Sequence, residues 1–224
     1  MKIGVLGTGM AGRTISAKLV QLGQDVMVGT RDVDQTLARA EPDMMGNPPY
    51  REWQQQNPEA RLGTFAEAAA FGEIVFNCTV GRGSLAALKK AGESNLNDKV
   101  LIDIANSLDF SQGMPPTLLV CNTDSLGEQI QHAFPQSKVV KTLNTVNSDL
   151  IVNPSRLSGG HDVFVSGNDP DAKAQVTDIL KNWFGWKSVI DLGDITTARD
   201  VEMMAPICLN LSMQMGLCNF KIVA

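Results

Sequence analysis

The sequence is poor in the residues that usually carry hydrolytic, metal or carbonyl chemistry. It has two histidines, His132 and His161, and a single tyrosine, Tyr50, among 224 residues. No lysine stands four positions after Tyr50, so the Tyr-x-x-x-Lys pair that would serve carbonyl reduction is missing. The four cysteines, Cys78, Cys121, Cys208 and Cys218, form no C-x-x-C pair and no metal-binding spacing. They read as free thiols of a reducing compartment, and no metal site is expected. Positive charge is also short. Nineteen Lys and Arg against 24 Asp and Glu leave a net charge of −5 at pH 7, which argues against nucleic acid or an anionic membrane as partner. An anionic cofactor needs only a local cationic site and stays open. No apolar run is long enough to cross a bilayer, and the first strand pattern begins directly after Met1, with no leader before it. The expectation is a cytoplasmic chain.

What the sequence does have stands at its beginning. The apolar run 3–6 reads as a buried strand and breaks on Gly7, Gly9 and Gly12. A helical pattern follows at once, with Ile15, Leu19 and Leu22 on one face, and Gly23 sits where a helix stops. Strand, G-x-G-x-x-G and helix together are the context that a dinucleotide fingerprint requires. Gly7 makes the tight turn, Gly9 lets backbone approach a pyrophosphate, and Gly12 lets helix and strand pack closely. The phosphates would lie on the unpaired N–H groups of the first helical turn, at the positive end of its dipole.

The second strand, 25–29, completes a βαβ unit, and its tip discriminates between cofactors. An NAD site places a carboxylate there for the ribose hydroxyls. Here the tip reads Gly29-Thr30-Arg31, with no carboxylate on it. Arg31 offers a planar, permanently charged fork for a phosphate and Thr30 a hydroxyl donor, which favours NADP(H). The alternative is that Arg31 pairs with Asp32 or Asp34 on the surface, a contact of little energy.

Residues 34–60 hold a short helix pattern at 35–40 and then four prolines. They read as an irregular surface excursion, in which Tyr50 and Trp53 are either a lid or the loop's own anchor. A short strand at 61–64 and an alanine-rich helix at 65–71 follow. Strands at 73–79 and 100–104 deliver Cys78, Thr79 and Val80, then Ala105 and Asn106, to the edge where an open α/β sheet binds ligands. Asn106 could meet a nicotinamide carboxamide or close a turn onto its own backbone. The first of those strands gives way to a helix from about Leu85.

Ser125 and Glu128 have capping-box spacing at the head of a helix. A strand at 138–143 brings up Lys141, Asn144 and Thr145, the positions nearest a substrate. Lys141 is the one basic residue at a strand tip that could orient a substrate; otherwise it is a solvated strand-end lysine. Strands at 162–166 and 188–192 flank a helix at 170–184 whose apolar face is Val176, Ile179, Leu180 and Trp183. The last helix is expected from near Ile195 past Met215, bent at Pro206 and apolar nearly all round. It would be covered by core or by a partner, or line a methionine-rich pocket. The fold class is therefore α/β. A Rossmann doubly wound, mainly parallel sheet spans 1–147, and a smaller C-terminal α/β part, 148–224, ends in this long apolar helix and completes the crevice.

The segments Gly7-Thr8-Gly9-Met10-Ala11-Gly12, Val28-Gly29-Thr30-Arg31, Val139-Val140-Lys141-Thr142-Leu143-Asn144-Thr145 and the run from Asp162 to Asp169 resemble the NADP-dependent reductases of the coenzyme F420 (deazaflavin) type. The pattern is similar to the cytosolic domain of the STEAP ferric reductases, which pass hydride from NADPH to a flavin. The resemblance covers essentially the whole length. It implies a homodimer, pyrophosphate contacts from Thr8, Met10 and Ala11, and a 2′-phosphate at Thr30 and Arg31. Thr79, Val80 and Asn106 would lie along the nicotinamide half.

Hydride transfer between nicotinamide and a flavin-like ring is mostly positioning, so the scarcity of acids and bases fits it, and no catalytic acid is assigned. The leading expectation is an NADPH-dependent oxidoreductase acting on a small-molecule electron acceptor of flavin or F420 type. The rival is a non-catalytic NADP(H)-binding redox sensor or docking module. Imine reduction of the pyrroline-carboxylate type is disfavoured by the short C-terminal part, and a β-hydroxyacid dehydrogenase by the absence of a lysine four residues after Asn210.

Overall fold

Alternation along the strands sends apolar side chains to both faces of one sheet. Ile3 and Val5, Ile74 and Phe76, and Val100 and Ile102 enter one core, whereas Leu6, Val75 and Leu101 enter a second on the opposite face. A sheet apolar on both sides has to be covered on both sides, and helices do so here.

In the computed structural model, which describes residues 1–43 and 46–223, β1 (Lys2–Leu6) leads through α1 (Met10–Gln21) to β2 (Asp25–Thr30). Next come α2 (Val33–Ala38), α3 (Tyr50–Gln56), β3 (Arg61–Thr64), α4 (Phe65–Phe71), β4 (Ile74–Asn77), α5 (Gly81–Ala91), α6 (Glu93–Leu96) and β5 (Val100–Asp103). A small hairpin, β6 (Leu108–Asp109) with β7 (Thr117–Leu118), precedes α7 (Leu126–Ala133) and β8 (Lys138–Thr142). Then follow α8 (Ser148–Ile151), β9 (Asp162–Gly167), α9 (Pro170–Asp178), β10 (Ser188–Gly193), α10 (Ala198–Met203) and α11 (Ala205–Met215).

The main sheet has the order β3-β2-β1-β4-β5-β8-β9-β10. From β3 to β8 every pairing is parallel, as βαβ crossovers require. β9 then runs antiparallel to β8 and β10 parallel to β9. The two strands that follow residue 147 thus extend the same sheet. Strand order reverses between β1 and β4, the switch point at which such sheets bind ligands.

Local signals explain most boundaries. α1 ends with Gly23 N–H on Val20 O and Gln24 N–H on Leu19 O, with Gly23 at φ +74°, a Schellman closure. Thr64 and Glu67 form a complete capping box for α4, and the Ser125 hydroxyl accepts from Glu128 N–H at the head of α7.

The structure corrects several expectations. The long last helix is two short ones, because Pro206 near the start of α11 lacks the N–H that would carry the ladder through. Nor is α11 sunk in a core: only Ala205 is buried, and Ile207, Met213 and Met215 are 51%, 58% and 70% exposed. α5 begins at Gly81, a turn before Leu85. The 34–60 excursion contains α3, with Tyr50 buried against Trp53; Met44 and Met45 of that stretch lie outside the described residues. The helix expected at 170–184 widens into a π turn at Ile179–Trp183. No helix among the described residues is long and apolar enough to cross a membrane.

Candidate functional site

The glycine turn between β1 and α1 forms the floor of the site. Gly7 has φ +124°, and a Cβ on it would lie 2.5 Å from the Cys78 carbonyl oxygen; a Cβ on Gly12 would lie 2.2 Å from the Gly7 carbonyl oxygen. Neither position admits a side chain. Gly9, the N-cap of α1, is the opposite case: it has extended backbone and open space where a Cβ would go. The first turn of α1 contains no acidic residue, so its unpaired N–H groups and dipole face that space unopposed. These are the features a pyrophosphate needs.

A cleft of about 720 Å³ opens there, bringing together Gly7, Thr8, Gly9, Thr30, Arg31, Cys78, Thr79 and Val80. Arg31 is exposed and makes no ion pair among the described residues. It pairs with neither Asp32 nor Asp34, and Asp32 caps α2 by accepting from Gln35 N–H at 2.9 Å. Thr30 departs from expectation. Thr36 donates its hydroxyl to Asp32 O at 2.7 Å, so the proton of the 2.7 Å Thr30–Thr36 contact comes from Thr30. In this arrangement the Thr30 hydroxyl proton is engaged by Thr36, and Arg31 is the group at the β2 tip with free donors.

Met10 and Ala11 do not line the cleft. The Met10 sulfur accepts from the Ser148 hydroxyl at 2.6 Å and faces a neighbouring hollow beside α1. Ala11 packs on the core. Either could reach a pyrophosphate only through backbone N–H.

Cations that the sequence reading missed also line the cleft: Arg13, Arg39 and Lys90. Arg13 donates to Thr8 O (2.8 Å) and Pro48 O (2.6 Å), and its guanidinium lies 5.5 Å from the Tyr50 ring centroid. It staples the 34–60 excursion to the glycine turn. Burial lowers the Arg13 pKa, with Asp43 and Tyr50 opposing. The Tyr50 phenol is buried, has no hydrogen-bond partner among the described residues, and is pushed upward in pKa by that burial. Arg13 was findable, because it directly follows the third glycine of the fingerprint, near the start of α1.

The opposite wall is a buried polar network. Asn77 Nδ2 donates to Ser84 Oγ (2.6 Å) and Asp103 Oδ1 (2.7 Å), while Asn77 Oδ1 accepts from the Thr79 hydroxyl (2.7 Å). Burial raises the Cys78 thiol pKa, with Asp103 adding to the effect. Lys141 is not the solvated strand-end lysine of one sequence reading, nor does it reach a ligand cleft. Its side chain is fully buried, and Nζ lies 2.8 Å from both Asp103 Oδ2 and Glu202 Oε1 and donates to Ala105 O as well. Desolvation works against its charge, but the two carboxylates outweigh it and raise the pKa.

Asn106 does not close a turn onto its own backbone. It donates to Asn144 O, and Asn144 donates to Asn106 Oδ1 and Val201 O. Directly before Asn144, Leu143 is buried at φ +58°, a left-handed conformation costly for a leucine. Thr145 lines a separate hollow of about 160 Å³ with Cys208, Leu211, Met215 and Phe220. Ala105 is buried. No group of three or more His, Cys, Asp or Glu among the described residues is placed to hold a metal ion.

Comparison with known proteins identifies the family. The family model described as "NADP oxidoreductase coenzyme F420-dependent" matches residues 2–107, from β1 to the tip of β5. A crystal structure from Arthrobacter sp. FB24, named provisionally as an F420-dependent NADP reductase, is 55% identical over the whole of both chains, with a TM-score of 0.95. The F420-dependent NADP reductase of Methanothermobacter marburgensis is 23% identical, covering 98% of this chain and 96% of that protein. Metalloreductase STEAP3 of Rattus norvegicus is 25% identical over 90% of this chain, which spans only 36% of that protein's length. By fold, by crevice and by these relationships, the chain belongs to the coenzyme F420-dependent family of NADP oxidoreductases.

Proposed function

We propose that the chain transfers hydride between NADP(H), laid across the switch point between β1 and β4, and a flavin or deazaflavin ring of the F420 kind. The observation that carries the cofactor half is Arg31, an exposed cation with no ion pair among the described residues, at a strand tip whose neighbouring carboxylate is committed to a helix cap. A 2′-phosphate meets a free guanidinium there, with Arg39 in the same cleft. The glycine turn and the α1 N-terminus hold the pyrophosphate, and Thr79 and Val80 run beside the nicotinamide half. Bound NADPH supplies the hydride. This chain's own residues bind, orient and exclude water, which suffices for a transfer between two preformed rings.

The acceptor would lie past the Asn106–Asn144 tip, towards Thr145 and α11. Ile207, Met213 and Met215 on α11 favour a second copy of the chain as cover, closing the acceptor side as a homodimer. Four free cysteines fit a cytoplasmic setting.

The test is anaerobic oxidation of NADPH and NADH with F420, FMN, FAD and riboflavin in turn. Saturable turnover with one ring class, and preference for NADPH, is the expected result. Tight NADPH binding without transfer to any ring would instead favour the binding-module reading.

A further inference from the structure

We propose that Lys141 is a positioning residue for the nicotinamide end of the crevice. Its ammonium is wholly buried and joins β8 to two other parts of the chain: the β5 tip, through Asp103 and the Ala105 carbonyl just beyond it, and α10, through Glu202. Buried ion pairs as a class add little net stability over apolar side chains of similar size. Here each partner leads to the crevice edge.

Asp103 Oδ1 accepts from Asn77 Nδ2 at 2.7 Å and Ala105 N–H at 3.3 Å. Asn77 in turn holds the Thr79 hydroxyl, and Thr79 lines the cleft. Glu202 accepts from Leu126 N–H and Gly127 N–H, both at 2.9 Å, pinning the N-terminus of α7 and fixing its carboxylate against the ammonium. Two residues beyond Lys141 and directly before Asn144, Leu143 is buried in a left-handed conformation. The ladder sets Asn77 beside Asp103 and Asp103 beside Lys141, and the buried charge ties these strand tips through side chains to α10 and the head of α7. Misplacing a reacting ring by about 1 Å can cost on the order of 100-fold in rate, so a rigid edge there has functional value that a stability argument misses.

This inference rests on the proposed reading that the nicotinamide half lies along those tips. The test compares two ligands by calorimetry: NADPH, and 2′,5′-ADP, which has the adenosine half and 2′-phosphate but no nicotinamide. Wild type, Asp103→Asn and Glu202→Gln are titrated with both, and their melting temperatures are recorded. Both substitutions keep side-chain shape. The expected result is that 2′,5′-ADP affinity stays within about twofold while the extra affinity for NADPH falls by at least about fivefold, because only the nicotinamide end has lost its support. Equal weakening of both ligands, or a lower melting temperature with neither affinity changed, assigns the network to stability alone and overturns the proposal. Failure of both variants to fold does the same. If wild type binds neither ligand, the reading of the crevice fails. If it binds both equally, that reading survives for the adenosine half and the positioning role is lost.

Discussion

Asn106 and Asn144 exchange hydrogen bonds across the mouth of the sheet: Asn106 Nδ2 donates to Asn144 O at 2.7 Å, and Asn144 Nδ2 returns to Asn106 Oδ1 at 2.9 Å. The same Nδ2 reaches Val201 O, also at 2.9 Å, so one amide ties β5, β8 and α10 together. Asn144→Ala leaves two acceptors short of a donor. It should cost about 1–3 kcal/mol, lowering the melting temperature by roughly 2–4 °C per kcal/mol for a chain of this size. An unchanged melting temperature would mean water replaces the amide without loss.

Arg31→Ala should weaken NADPH and spare NADH. Losing a charge-assisted contact to the 2′-phosphate is expected to cost about 1.5–3 kcal/mol, on the order of 10- to 150-fold in Kd. Parallel titrations of the two nucleotides check it. Equal weakening of both would remove the strand-tip argument for NADP(H).

The glycines of the turn should separate stability from binding. Gly12→Ala puts a methyl 2.2 Å from the Gly7 carbonyl oxygen, so the helix must move and about 1–3 kcal/mol of stability should go with it. Gly9→Ala meets nothing within 4 Å and has φ −76°, which alanine accepts. Its melting temperature should stay near that of wild type while NADPH affinity drops, since the methyl stands where the pyrophosphate approaches. Thermal melts and nucleotide titrations on both variants decide the point.

These contrasts also show what was readable in the chain. The glycine turn, the β2 tip, β3 at Arg61–Thr64 and α4 at Phe65–Phe71 were legible because each depends on neighbours a few residues away. The partner of the Thr30 hydroxyl was not legible, because Thr36 faces it only once α2 has formed. The environment of Lys141 could not be read at all. Its carboxylates come from β5 and α10, far apart in sequence, and only the completed sheet brings them together. Pro206 was visible, but whether it bends a helix or ends one depends on what packs around it.

Acid should release the C-terminal segment. Burial opposes charge on the Asp162 carboxylate, yet hydrogen bonds from Ser188 and Ile222 N–H, with Lys221 and His161 nearby, hold its pKa below the ordinary 3.8. A carboxylate with a depressed folded pKa stabilises above its unfolded value, and that contribution disappears as pH falls through the folded one. Protection of the Ile222 amide from hydrogen exchange should therefore persist at neutral pH and vanish below the ordinary carboxylate range. Asp162→Asn should remove it already at pH 7. Persistent protection in that variant would mean that Phe220 O, which accepts from Asp162 N–H, is enough to hold the segment.

The antiparallel step from β8 to β9 has a consequence for how the molecule comes into being. Because β9 runs antiparallel to β8, β10 runs parallel to β9 and α10 follows both, the segment carrying Glu202 returns to the crevice edge only after the sheet has reached its full width. In a chain synthesised from its N-terminus, the glycine turn, the β2 tip and the β4 and β5 tips all emerge before it. Lys141 at that stage has Asp103 as its sole carboxylate partner, and arrival of α10 seals its charge from water. The end proposed to hold the nucleotide is thus built first, and the end proposed to face the acceptor is finished last.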